Sequence, residues 1–313
     1  MGRLSDLRIV DAVLTELARG YVNPVLVADQ LFPFAPTTKE SVKIPVFAKE
    51  AFRIYATERA IRAKSNQINP EARSTVDAIL VEHDLVYPVD RREAEEDVLP
   101  LRDHAAMVTV EGIRLKHEYL CGVLAQAAGS YPTGHKVTLS GEDQFTNAKS
   151  DPVAVIEAGK TAIRQKIGLR PNTMLIGALA MEALATNASL RELTKYSQTG
   201  VVGVDDLKKI FGIPNIVVGD AVYVDDADVS HDCWSDNIIL AWQPAAKMAG
   251  QRTYYSPAFG YTIRKRGYPE VDAYTEEGGK IEMIRSTDLF VPKIVGSDAG
   301  YLIADTNAPT PGL

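Results

Sequence analysis

Two stretches of this chain group side chains closely enough to suggest chemistry. The first, EAGKT at 157–161, looks like the end of a phosphate-binding loop. Such a loop needs Gly, four residues, then Gly-Lys-Ser/Thr, so that backbone N–H groups can surround the phosphate oxygens. Here the first glycine position holds Ala154. The stretch also falls inside a helical pattern, so a solvated helical lysine is expected. The second, YVDDADVSHD at 223–232, gathers Asp225, Asp226, Asp228, His231 and Asp232. These are donors suited to calcium or magnesium, but the glycine and closing glutamate of a calcium loop are missing. The cluster lies between two apolar strand patterns, where Asp is a turn former. A turn is expected, with any metal at Asp225–Asp232 adventitious. His83, His104, His117, His135 and His231 share no ligand spacing, and His117-Glu118 lacks the second histidine of a zinc-protease helix. Neither a G-x-S-x-G elbow nor a G-x-G-x-x-G turn is present. No catalytic, cofactor-binding or metal-binding residue emerges, and the chain reads as a non-enzyme.

The 313 residues are 46% hydrophobic and 24% charged, an ordinary globular balance with ample core capacity. A formal net charge of −7 gives no overall basic surface, so any nucleic-acid contact is expected to be local or indirect. Cys121 and Cys233 read as reduced, buried thiols. No apolar run approaches the ~18–20 residues of a membrane span, and the charged amino end has no signal-peptide core.

Along the chain, 5–19 has helical spacing and 21–42 carries three prolines that favour an extended strap. Residues 101–128 form the longest helical pattern. Leu101, Ala105, Val108, Leu115, Tyr119, Val123, Leu124 and Ala127 make its predicted apolar face, and such a helix is ~40 Å long. Residues 129–150 read as loop or weak hairpin. Asp151-Pro152 is a cap and first-turn pair opening an α/β alternation that runs to 243. The tail forms two strand groups joined at Gly278-Gly279.

Between strap and long helix lies the most unusual feature. VKIPVFAKEAFRIYA and TVDAILVEHDLVYPV read as two strand-like limbs around the tip ERAIRAKSNQINPEARS. Arg59, Arg62, Lys64 and Arg73 outnumber Glu58 and Glu71 there, although the chain as a whole is acidic. A limb of about 15 extended residues reaches ~50 Å, against a radius of gyration of ~19–20 Å for a chain this long. An isolated two-stranded hairpin is marginal in water. A projecting arm therefore shelters its apolar residues on a neighbouring subunit. That is a heterologous contact of the kind that propagates into rings and shells.

Taken in order, YVNPVLVADQLFP, VKIPVFAKEAFRIYATERAIRAKSN, IVVGDAVYVDD, FGYTIRKRGYPEVDAY and VGSDAGYLI resemble the major capsid proteins of tailed double-stranded-DNA bacteriophages. These share the Hong-Kong-97-type capsid fold, also seen in encapsulins. The resemblance implies an α+β chain divided into an N-terminal arm at 1–40 and an extended β-hairpin loop at 41–90. It further implies a peripheral domain from 91–150 and 255–313, with spine helix 101–128, and an inserted α/β axial domain at 151–254. It implies hexamers and pentamers of an icosahedral shell that encloses double-stranded DNA without sequence-specific binding. The virion is the implied location, after assembly in the host cytoplasm, with no membrane. Implied partners are further copies of the chain, a separate scaffolding protein, a portal and a decoration protein. Arg59, Arg62, Lys64 and Arg73 at the loop tip are the expected intersubunit contacts. Lysine crosslinking of the kind some members use is not carried over to Lys49 or Lys64. The alternatives are an encapsulin-type compartment and, from another class, a small α/β hydrolase or nucleotide-binding enzyme built on 151–254.

Overall fold

A computed structural model describes residues 14–15, 25–46, 57–59, 64–66, 75–96, 100–195, 202–244, 258–276 and 278–307. Leu14 and Thr15 are helical, and the rest of the 5–19 pattern lies outside the described residues. The strap is less extended than its prolines suggest. It holds a short helix α1 (Ala28–Leu31) and a strand β1 (Phe34–Thr37), with Pro33 between them. Then come β2 (Ser41–Pro45), β3 (Thr75–Ile79), β4 (Val81–Asp90), a short helix α2 (Arg91–Glu96) and the spine helix α3 (Leu101–Gln126).

Loop 129–150 contributes one strand, β5 (Lys136–Thr138). The α/β run follows as α4 (Pro152–Ile167), β6 (Thr173–Gly177), α5 (Ala178–Thr186), α6 (Ala188–Thr194), α7 (Val204–Phe211), β7 (Asn215–Gly219), β8 (Val222–Val224), β9 (Ser230–Asp232) and β10 (Ile238–Ala241). The tail supplies β11 (Gly260–Lys265), β12 (Glu270–Thr275), β13 (Ile281–Ile294) and β14 (Gly300–Ala304).

Local rules explain several of these boundaries. The Asp151 carboxylate accepts from the Val153 and Ala154 N–H groups to open α4, Pro152 fills its first turn, and left-handed Gly168 closes it. Asn187 breaks the helical stretch 178–194 in two by capping α6 through the Ser189 and Leu190 N–H groups. Gly278 and Gly279, with φ of 115° and 73°, make the β12–β13 turn that only glycine adopts at low cost.

Two five-stranded sheets organise the chain. In the first, β13 is the long central strand. One side pairs β12 (Thr275 opposite Glu282) and then β11 (Arg264 opposite Phe290); the other pairs β4 along its whole length, and β1 adds in parallel to β11. The second runs β5-β14-β10-β6-β7. It joins the inserted run's strands to β5 and β14, which lie on either side of that run in sequence.

The second sheet is covered on both faces. Met174, Ile176, Ile238, Leu240 and Ile303 face α4 to α7, while Leu175, Ile239 and Leu302 face α1 and the spine. Period-two alternation thus serves two cores. The spine's buried face differs from the apolar stripe predicted for it. Ala105, Ala106, Thr109, Val110, Ile113, His117, Glu118, Cys121, Gly122 and Ala125 are buried, whereas Val108 and Val123 are exposed.

The second limb of the arm also departs from expectation. Among the described residues, Thr75–Ile79 pairs with the first limb, as β2 against β3, and Val81–Asp90 turns onto β13 of its own chain. The fourteen-residue β13 leaves a full edge for β4 to satisfy its backbone groups.

Candidate assembly surfaces and the strap junction

The arm is anchored at its base. Val42 and Ile44 on β2 and Ala78 on β3 are buried, and Ile44 and Ala78 join Ala35, Leu80, Ile263 and Leu289 in one apolar cluster. At the far end Arg59 and Lys64 are exposed, and the Asn66 side-chain amide donates to the Glu58 carbonyl at 3.0 Å. Arg62 and Arg73 lie outside the described residues. Beyond the base, Ile79 (66% exposed), Val81 (51%), Leu85 (44%) and Val86 (40%) are apolar and exposed, with the neighbours Leu85 and Val86 on opposite faces of β4. Among the described residues, β4 pairs only with β13, so its outer edge presents unpaired backbone groups beside these side chains.

The strap is held by a buried polar junction. Glu118, on the spine, accepts from the Val27 and Ala28 N–H groups at 3.0 and 2.9 Å and from Trp234 Nε1–H at 2.6 Å. One carboxylate therefore ties strap, spine and inserted run together. Burial raises its pKa, while the donated bonds pull the other way. The Thr262 hydroxyl donates to the Phe32 carbonyl at 2.9 Å, so it accepts from His117 Nε2–H at 2.7 Å. The Gln243 amide donates to the Leu31 carbonyl.

The Phe34 ring stacks on His117, with the Arg264 guanidinium 3.5 Å from the ring centroid. Burial, helped by Arg264 and Arg114, pushes His117 well below the ordinary histidine range, so it is neutral. Arg264 also meets Asp288 at 2.6 Å. Burial pushes Asp288 up and Arg264 down to about 10. The guanidinium still holds its proton at neutral pH, and its charge pulls against the upward shift that burial gives Asp288.

The two stretches that resembled chemical sites are structural. Gly159 lies inside α4, where an added Cβ would meet Leu240 Cδ1 at 2.8 Å and Tyr301 Cδ1 at 2.9 Å. Lys160 is buried rather than solvated, contrary to expectation. It donates to the Phe211 carbonyl at the end of α7 at 2.5 Å and pairs with Glu157. This locks two helices together and offers no room for phosphate.

Asp225–Asp232 forms the β8–β9 hairpin. Asp225 Oδ1 accepts from the Ala227 and Val229 N–H groups, and His231 lies 2.8 Å from Asp225 Oδ2. These bonds, that from Val229 foremost, hold the Asp225 carboxyl below its ordinary range. Among the described residues no group of three His, Cys, Asp or Glu is placed to hold a metal, and no helix is long and apolar enough to cross a membrane. Cys121 and Cys233 are buried free thiols.

Sequence reasoning missed Glu118 and the Arg264–Asp288 pair. The one available signal was charge placed on the long helix next to residues of its buried face.

Residues 38–277 match the family model for phage major capsid protein E. A curated major capsid protein of Burkholderia phage BcepMu is 52% identical over 98% of this chain and 100% of its own length. A phage-related protein from Bordetella bronchiseptica RB50 has a crystal structure that superposes with a TM-score of 0.83 at 30% identity, over 97% of this chain and 99% of that one. The capsid structure of cyanophage P-SCSP1u shares the fold, with a TM-score of 0.56 at 10% identity over 92% and 90% of the two chains. The arm base, the two sheets under one long spine, and matches of this breadth agree: the chain belongs to the phage major capsid protein E family.

Proposed function

We propose that this chain is the subunit of an icosahedral phage shell and assembles into hexamers and pentamers that enclose double-stranded DNA. The observation that carries this reading is the arm. Its base is anchored to its own body through Ile44 and Ala78, while Arg59 and Lys64 at the tip and the apolar side chains of Ile79, Val81, Leu85 and Val86 are exposed. Exposed apolar side chains of this kind beside an open strand edge mark a contact with another chain.

In this reading 1–40 is the N-terminal arm and 41–90 the extended loop, with its hairpin confined to the tip side of Leu80. Residues 91–150 and 255–313 form the peripheral domain and 151–254 the axial domain, whose sheet borrows β5 and β14. The work of the chain is mechanical, without catalytic turnover. An acidic subunit confines DNA without gripping it. Scaffolding, portal and decoration proteins are separate partners, and assembly takes place in the host cytoplasm before the chain resides in the virion.

Replacing Arg59, Arg62 and Lys64 together with Glu tests the arm. Electron microscopy of the purified protein should then show no shells, while circular dichroism stays that of folded subunits. Normal shells from the triple variant would reduce the tip to a solvated face.

A further inference from the structure

Four rings run in one column beneath the strap. His83 on β4 stacks on Phe290 of β13, with centroids 4.3 Å apart. Phe290 meets the spine's His117 edge-on at 5.2 Å, and His117 stacks in turn on Phe34 of β1 at 4.9 Å. The column joins the strap to β4 through the spine. Two of its four rings are imidazoles, the side chain whose charge changes nearest to neutral pH.

The surroundings suit neutral imidazoles only. His117 is buried, and its Nε2–H is spent on Thr262, so a second proton must go to Nδ1. Asp29 Oδ1 lies 3.9 Å from Nδ1, beyond hydrogen-bond reach, and Asp29 already faces Arg114 at 3.8 Å. Cys121 Sγ, 3.4 Å from Nε2, carries no charge to offset a proton. Arg264 on β11 and Arg114 on the spine add positive charge. His83 faces Lys116 of the spine and lies directly across the strands from Asp288, which holds Arg264 through Oδ2 and, among the described residues, leaves Oδ1 without a hydrogen-bond partner. Burial outweighs Asp288 and brings His83 below the ordinary histidine range, with His117 further down.

We infer that the column is an acid-sensitive latch: a proton on His117, and a second on His83, releases the strap from the spine while the two sheets stay folded. A charged His117 loses hydration that nothing between Phe34 and Phe290 replaces. Phe34 belongs to a four-residue strand at the edge of its sheet, so the strap is the part that gives. A histidine with a depressed folded pKa takes up its proton more readily once exposed. The closed strap is therefore fully held above the unfolded histidine value and weakens as pH falls below it. Asp288 and Glu118, whose carboxyls burial lifts, pull the other way. The latch lies within one subunit and stands apart from the shell reading.

Amide hydrogen exchange of the full-length protein, corrected for the intrinsic effect of pH, tests it. The amides of Val27, Ala28 and Phe32 report on the strap, and those of Leu175 and Ile176 in β6 on the body. From neutral pH down to about pH 5, strap opening should rise by up to about tenfold per pH unit for each proton taken up, with β6 unchanged. His117→Gln keeps an N–H for Thr262 but cannot charge. Its strap should open more at neutral pH, yet with a shallower slope in acid. His83→Phe keeps a ring on Phe290 and should also flatten the slope; its half-exposed site keeps the test open should His117→Gln not fold. The carboxyls are common to all three chains, so the differences in slope belong to the imidazoles. A merely structural histidine would change the level and leave the slope.

Strap amides equally protected at every pH in the unsubstituted chain would overturn the latch. So would β6 amides that open in step with the strap, because acid would then unfold the whole body. A His117→Gln chain with its slope intact would overturn the role of His117, and the same result in His83→Phe would overturn that of His83.

Discussion

Replacing Glu118 with Gln should loosen the strap by an amount the geometry sets. The carboxylate accepts from three donors: Oε1 takes Trp234 Nε1–H, the Val27 N–H and, at 3.1 Å, the Ala28 N–H, while Oε2 takes the Ala28 N–H at 2.9 Å. A glutamine keeps Oε1 for all three but turns its NH2 towards the Ala28 N–H, which loses the shorter of its two bonds and faces another donor. A buried donor left poorly matched costs ~1–3 kcal/mol. Removing a buried charge returns part of that. The net loss at neutral pH should be ~1–2 kcal/mol. Glu118→Ala strands all three donors and should cost ~3–5 kcal/mol.

The pH dependence has a definite sign. Burial raises the Glu118 pKa above its unfolded value, so its contribution is complete below the unfolded value and is lost as pH rises through the folded one. Glutamine has no such slope, so its deficit should be largest in acid and narrow towards neutrality. Urea denaturation of unassembled subunits across that range measures both quantities. An unchanged midpoint at every pH, or a deficit that widens as pH rises, would refute the junction as described.

Gly159→Ala should destabilise by ~1–3 kcal/mol despite the better helix propensity, because the new methyl meets Leu240 and Tyr301; a more stable variant in thermal melts would contradict that packing. Val110→Pro, in the buried middle of the spine, should cost ~3 kcal/mol or more and give insoluble protein; a soluble, normally assembling variant would mean the spine bears no such load. Cys233 is pushed up to about 12 by burial and Cys121 also well above its ordinary value, so neither thiol should react with a thiol reagent until denaturant is added. Labelling of either in the native protein would place it at the surface.

Much of the fold was legible where local chemistry decides it. Asp151-Pro152, Gly168 and Gly278-Gly279 mark their boundaries through capping and left-handed backbone, which a sequence displays directly. The spine's length followed from periodicity and from Pro100 before its first turn. Its buried face did not. His117 and Glu118 are inside because Thr262, Val27, Ala28 and Trp234 wait for them, up to 145 positions away, and hydropathy carries no record of such partners. Lys160 went unseen for the same reason: its acceptor, the Phe211 carbonyl, comes from another helix.

The arm was visible as two limbs with a basic tip. Where the second limb leaves the hairpin at Leu80 was not, since β3 and β4 carry similar apolar alternation and only the open edge of β13 separates their fates.

Electron microscopy of the purified, unsubstituted protein at high concentration in physiological salt tests the shell reading most directly. Closed particles built from five- and sixfold clusters, with each arm lying on an adjacent copy, are expected. A lone subunit with residues 47–74 folded against its own body would contradict it.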